Sequence, residues 1–270
     1  MALMRRLIAG AVGLLAATAA YAHDTWFEVL PHGQAAGGVA LALGTGNRFP
    51  VQETPIYAEH LSTAGCRGRG GEVLPLRPAR ARVNAIWLRS PMLLEAHPSC
   101  WAQVATVDIT LSPAIVALYL KEVNAPAAVL EAWAAQQARG VAWQERYTKH
   151  ARIELLHPGA AVVAQPVPMG MDVLLRSDGP VAVGTPLTLQ LLRNGQPVPD
   201  LAVELRSAQA SLGIWRRTDA QGRVSFAPPL AGRWLLRGTE LRAATDRPDV
   251  WDSGFVTLAF DVADAPSARR

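Results

Sequence analysis

Ile214-Trp215-Arg216-Arg217-Thr218-Asp219-Ala220-Gln221-Gly222-Arg223-Val224-Ser225-Phe226 decides the fold class. Two short runs carrying β-branched and aromatic residues flank an Asp-x-x-Gly turn, which joins strands and has no place inside a helix. Outward from it the same grammar repeats. Runs at 187–192, 202–205, 234–237 and 255–262 alternate apolar and polar residues, and Asn194-Gly195 supplies a second hairpin signal. Short strands at this spacing predict a β-sandwich of immunoglobulin or transthyretin type over about 170–262, with Trp234 or Phe226 in its core. The polar tail 263–270 reads as frayed.

Toward the N-terminus, 24–30 reads as a strand ending in the turn Pro31-His32-Gly33, and 39–43 as a second strand. Segment 48–59 has two prolines and no period, so it reads as loop. Glycine-rich 65–71 lacks the GxxxxGK[ST] order of a phosphate cradle and reads as a hairpin end. Strands follow at 83–89 and 101–111. Ser112 then caps a helix opened by Pro113, and Pro126 opens another that Gly140 ends. A third helix is expected over 141–156. Trp143 and Tyr147, four residues apart, would pack inward there, while Glu145, Arg146 and Lys149 would face water. The expected fold is therefore mainly β: two β-sandwich-like parts, 23–165 and 170–262, with a small helical insert at about 112–156.

The first 22 residues have the form of a secretory signal. Arg5 and Arg6 precede an uncharged apolar run over 7–19, and Ala20-Tyr21-Ala22 offers the small-residue cleavage pattern before His23. The run is short for a membrane span, which needs about 20 apolar residues. Cleavage at Ala22-His23 would leave 248 of the 270 residues and lower the formal charge from +4 to +2, because the segment holds two arginines and no acid. With no run of five or six like charges, neither nucleic acid nor an anionic membrane is an expected partner, and no direct membrane insertion is expected after processing. Export to the periplasm would oxidise Cys66 and Cys100, the chain's two cysteines, to one disulfide.

Cleavage would also create chemistry. His23 would offer its α-amino group and its own imidazole, two nitrogens able to close one chelate ring on copper, nickel, cobalt or zinc. A cleavage site that merely happens to precede a histidine is the alternative.

Several strings together resemble a family of secreted bacterial proteins of largely unknown function, related to periplasmic components of nickel and cobalt uptake systems. They are His23-Asp24-Thr25-Trp26-Phe27, Gly46-Asn47-Arg48-Phe49-Pro50, Tyr119-Leu120-Lys121-Glu122, Glu145-Arg146-Tyr147-Thr148-Lys149, Thr218-Asp219-Ala220-Gln221-Gly222-Arg223 and Trp251-Asp252-Ser253-Gly254-Phe255-Val256-Thr257-Leu258. The resemblance implies a periplasmic metal-handling protein with a C-terminal β-sandwich, His23 as a ligand, a nickel or cobalt ion (copper also possible) as cargo, and a membrane transporter or outer-membrane receptor as partner. Further ligands are not fixed by any motif. His60, in a loop after Glu59, and His97, near Cys100, are the candidates, each set against a plain surface role. His32 lies in the first turn. His150 and His157 read instead as residues meeting carbonyls at the end of the third helix.

No GxSxG or HExxH motif is present, and the chain is expected not to be an enzyme. Two other functions remain open: an immunoglobulin-like envelope interaction protein, and a copper enzyme using a terminal histidine for oxygen chemistry.

Overall fold

The computed structural model describes residues 23–30, 38–93, 97–156 and 161–265. The expected signal segment, the expected Pro31-His32-Gly33 turn, His157 and the last five residues of the expected tail lie outside the described residues.

The first half of the chain gives β1 (Asp24–Val29), β2 (Val39–Gly46), β3 (Thr54–Pro55), β4 (Leu61–Arg67), β5 (Val73–Pro75), β6 (Arg77–Ala81), β7 (Ile86–Ser90), β8 (Ser99–Val104) and β9 (Val107–Leu111). Helices α1 (Pro113–Glu122) and α2 (Ala127–Ala138) follow, then the long strand β10 (Trp143–Glu154). The second half gives β11 (Val162–Val163), β12 (Met171–Ser177), β13 (Leu187–Arg193), β14 (Gln196–Pro197), β15 (Ala202–Ser207), β16 (Ile214–Arg217), β17 (Arg223–Phe226), β18 (Gly232–Ala243) and β19 (Val250–Val262).

These strands build three sheets. A central sheet of nine runs β16-β15-β18-β19-β10-β8-β4-β5, with β9 also on β10. One outer sheet is β1-β2-β7-β6 with β3 on β2; the other is β11-β12-β13-β14 with β17 on β13. Alternation along β18 and β19 shows how they stack. Trp234, Leu236, Val256, Leu258 and Phe260 join the core shared with β12 and β13, whereas Leu235 and Ala259 join the core shared with β1 and β2. The central sheet is thus covered on both faces, and β18 and β19 are apolar on both where they lie between the two cores, as a doubly buried strand must be. The sandwich-like packing expected from the sequence is present on each face of one sheet. Strands β18 and β19 serve both.

The turns behave as their residues require. Asn194 and Gly195 both adopt positive φ, 49° and 77°, in the hairpin β13-β14. Asp219 Oδ1 accepts the backbone N–H groups of Gln221 and Arg223, and Gly222 takes φ 69°. Trp234 and Phe226 are both buried and meet edge to face, centroids 5.1 Å apart. Cys66 and Cys100 are disulfide-bonded between the paired strands β4 and β8, Cα atoms 4.0 Å apart.

One element departs from expectation. The third helix expected over 141–156 is strand β10, so the helical insert ends at Ala138. Four-residue spacing returns a side chain to the same face in a strand as well as in a helix, so Trp143 and Tyr147 carried no information about which formed. The orientation also differs: Glu145 is buried rather than facing water. Pairing decided the matter. β10 runs parallel to β19 from Gln144 to Ile153 and antiparallel to β9 and then β8 on its other edge.

Candidate functional site

β10 lays out the site. Its odd-numbered side chains share one face: Trp143, Glu145, Tyr147, Lys149, Ala151 and Ile153. Trp143 stacks on Trp251 at 4.7 Å and meets Trp133 edge to face, closing an aromatic cluster under the helices. Ala151 and Ile153, at the other end, enter the core below β1 and β2. Between these two packed ends, Glu145, Tyr147 and Lys149 line a cavity of about 450 Å³.

The cavity walls are mainly apolar. Val104, Val107, Ile109 and Leu111 come from β8 and β9, Ile115 and Tyr119 from α1, and Phe255 from β19. Ser112 positions α1 by accepting the Ile115 N–H at its N-terminus. The segment 54–60 adds Tyr57 and His60, and the start of β1 adds His23.

His23 is held in place through its neighbours. β1 pairs with β2 from Asp24 onward, Thr257 Oγ1 donates to the Thr25 carbonyl at 2.6 Å, and Asp24 pairs with Arg237 at 3.2 Å. Lys149 Nζ donates to the His23 carbonyl at 2.8 Å. Burial, then the Lys149 charge, lowers the His23 imidazole below its ordinary pKa, favouring the neutral ring that binds metals. His60 ends a short 3₁₀ turn, Ala58–His60, and its ring meets Tyr57 edge to face at 5.7 Å.

Lys149 keeps partial access to solvent, yet the protein packed around it lowers its pKa to about 8 by desolvation. Its Nζ lies 5.5 Å from the Tyr147 ring centre and 5.8 Å from that of Phe255. Among the described residues it makes no ion pair, and Asp24, the acid whose charge acts on it, is engaged by Arg237. Glu145, by contrast, has three donors. It accepts from Tyr119 Oη at 3.1 Å, from Trp143 Nε1 at 2.7 Å and from Ser253 Oγ. Burial raises its pKa and the three donors oppose that rise. Glu145 therefore fixes α1, β10 and β19 around the cavity rather than presenting a reactive carboxylate.

The three candidate ligands separate. His23 and His60 line this one cavity, whereas His97 lines another, of about 120 Å³, with Arg67, Arg69 and Glu154. His150 is inside β10 rather than at a helix end, and its Nδ1 bonds the Phe255 carbonyl at 2.9 Å. Among the described residues, no three His, Cys, Asp or Glu side chains cluster as a metal site would. Sequence reasoning missed Tyr119, Glu145, Tyr147, Lys149 and Phe255 as site residues. Their signal was the alternation Trp143, Glu145, Tyr147, Lys149, and all five belong to strings that carried the family resemblance.

No curated protein matches the chain. A family model described as a domain of unknown function (DUF4198) matches residues 20–239, and the chain belongs to that family.

Proposed function

We propose that this chain is a periplasmic binding protein that takes up a transition metal, nickel or cobalt first and copper second, for delivery to an uptake system in the envelope. The observation that supports the reading is that His23 and His60, from separate segments, line the same cavity. Processing between Ala22 and His23 supplies the α-amino nitrogen beside the imidazole, and His60 supplies a third nitrogen from the fold. Such a nitrogen set suits these metals. The terminus is already ordered by β1 and by Lys149, so binding costs little of the freedom that a loose terminus would lose. Export is supported by the leader pattern and the disulfide. Among the described residues no helix is long and apolar enough to cross a membrane.

The test is affinity for nickel, cobalt and copper in four forms: protein beginning at His23, the same protein with one alanine added before His23, His23→Ala and His60→Ala. Extension and His23→Ala should weaken binding equally, by at least about tenfold, and His60→Ala should weaken it less. Equal affinity in all four ends the proposal. Reductant-dependent oxygen consumption by the copper form would instead favour the copper enzyme.

A further inference from the structure

The cavity is too large and too apolar for a metal ion alone. Its volume, about 450 Å³, falls in the range of small-molecule sites, which combine apolar walls with a few placed polar groups. Here the walls are Val107, Ile109, Leu111, Ile115 and Phe255, and the charged groups on the lining are the Lys149 ammonium and the carboxylates of Glu122 and Glu145. Lys149 Nζ uses one hydrogen-bond direction on the His23 carbonyl, leaving two of its three donors. The neighbouring carboxylates do not serve them. Glu145 accepts from Tyr119, Trp143 and Ser253, and Asp24 is bonded to Arg237.

We propose that the cavity binds a small amphipathic organic carboxylate, its carboxylate on Lys149 Nζ and its apolar body against β9, α1 and Phe255. An ammonium sunk in an apolar wall gains more from an anion than one in water, because the surrounding dielectric is lower. A carboxylate there would also lie near His23, whose carbonyl Lys149 already holds. Its negative charge would offset part of the repulsion that a cation at the terminus would meet from Lys149. The organic site goes beyond metal binding and stands with or without it.

The experiment uses protein beginning at His23, kept metal-free with a chelator, and titrates octanoate and phenylacetate against octanamide and phenylacetamide. The two carboxylates should bind at least about tenfold more tightly than their amides, the scale of one charge-assisted hydrogen bond. Lys149→Met should bring the carboxylates down to the amides and leave the amides unchanged, which a merely structural role for Lys149 would not do. Ile109→Trp, which fills the cavity, should weaken all four. Carboxylates and amides binding alike, or carboxylate binding that survives Lys149→Met, overturns the proposal; so does failure of all four probes on folded protein. Nickel is then titrated separately. Nickel binding without carboxylate binding defeats this inference alone, and carboxylate binding without nickel binding defeats only the metal reading.

Discussion

A buried cation and a half-buried one stand three residues apart on β10 and point to opposite faces of the central sheet. Arg152 is fully buried, and every donor it has is used: Nε on Glu154, Nη1 on both oxygens of Asp172, Nη2 on Ser99 Oγ and the Gln165 carbonyl. Lys149 has one backbone carbonyl and a cavity. A buried charge surrounded by enough partners is part of the framework, here tying β10 to β8 and to β12 in the second outer sheet. A half-buried charge with donors left over, facing a cavity with mainly apolar walls, is the kind of group a ligand can pair. The same strand does both because its side chains alternate, so Arg152 on the even face is committed to the protein while the odd face opens between two packed ends.

The contrast breaks first at Arg152. Arg152→Met should cost about 3–5 kcal/mol, since it strands the Glu154 and Asp172 carboxylates in the interior. Denaturant unfolding would measure it, and a loss below about 1 kcal/mol would show that the network is not the framework described. Removing the disulfide by replacing Cys66 and Cys100 with alanine should cost about 3–4 kcal/mol for a separation of 34 residues. Folded protein of this variant should retain its cavity ligands, because the bond lies between β4 and β8, outside the cavity lining.

Lys149→Met should act with the opposite sign. The ammonium is disfavoured in the folded state, where its pKa is about 8 against 10.5 unfolded. Between those values the unfolded chain binds more protons, so the lysine's penalty is complete below pH 8 and fades as pH rises to 10.5. The variant should therefore be more stable than the parent at pH 7, by up to about 3 kcal/mol, and the gap should close above pH 10. Around Lys149 stand His23, Asp24, Tyr147 and Phe255, and subtracting the two pH profiles removes the groups common to both. A gap that widened toward pH 10 would contradict the burial described. The smallest effect is at the helix cap: Ser112→Ala should cost about 1 kcal/mol and weaken cavity ligands slightly through Ile115 and Tyr119.

The even and odd faces of β10 also explain what could be read in the sequence. The C-terminal hairpins were legible because their signals are local: Asn194-Gly195 and Asp219 to Gly222 carry their own turn chemistry, and apolar residues alternate on either side. The disulfide followed from two cysteines and a leader. β10 was not legible. It is rich in polar and charged residues, and it becomes a central strand only because distant residues complete it, Asp172 and Ser99 on one face and Ser253 on the other. Parallel pairing with β19, about a hundred residues away, leaves no trace in either segment alone. The site was half legible for the same reason. His23 announced itself through the cleavage pattern, but the approach of His60, Tyr119, Lys149 and Phe255 to one cavity is a property of the assembled sheet.

The central claim is that the processed terminus and the odd face of β10 form one site. Crystals of protein beginning at His23, loaded with nickel, would test it by anomalous difference density at the nickel edge. The account predicts a single strong peak in this cavity, about 2 Å from the α-amino nitrogen and a ring nitrogen of His23, with His60 turned toward it. A strong peak at His97, or stoichiometric nickel with no density in the cavity, would contradict it.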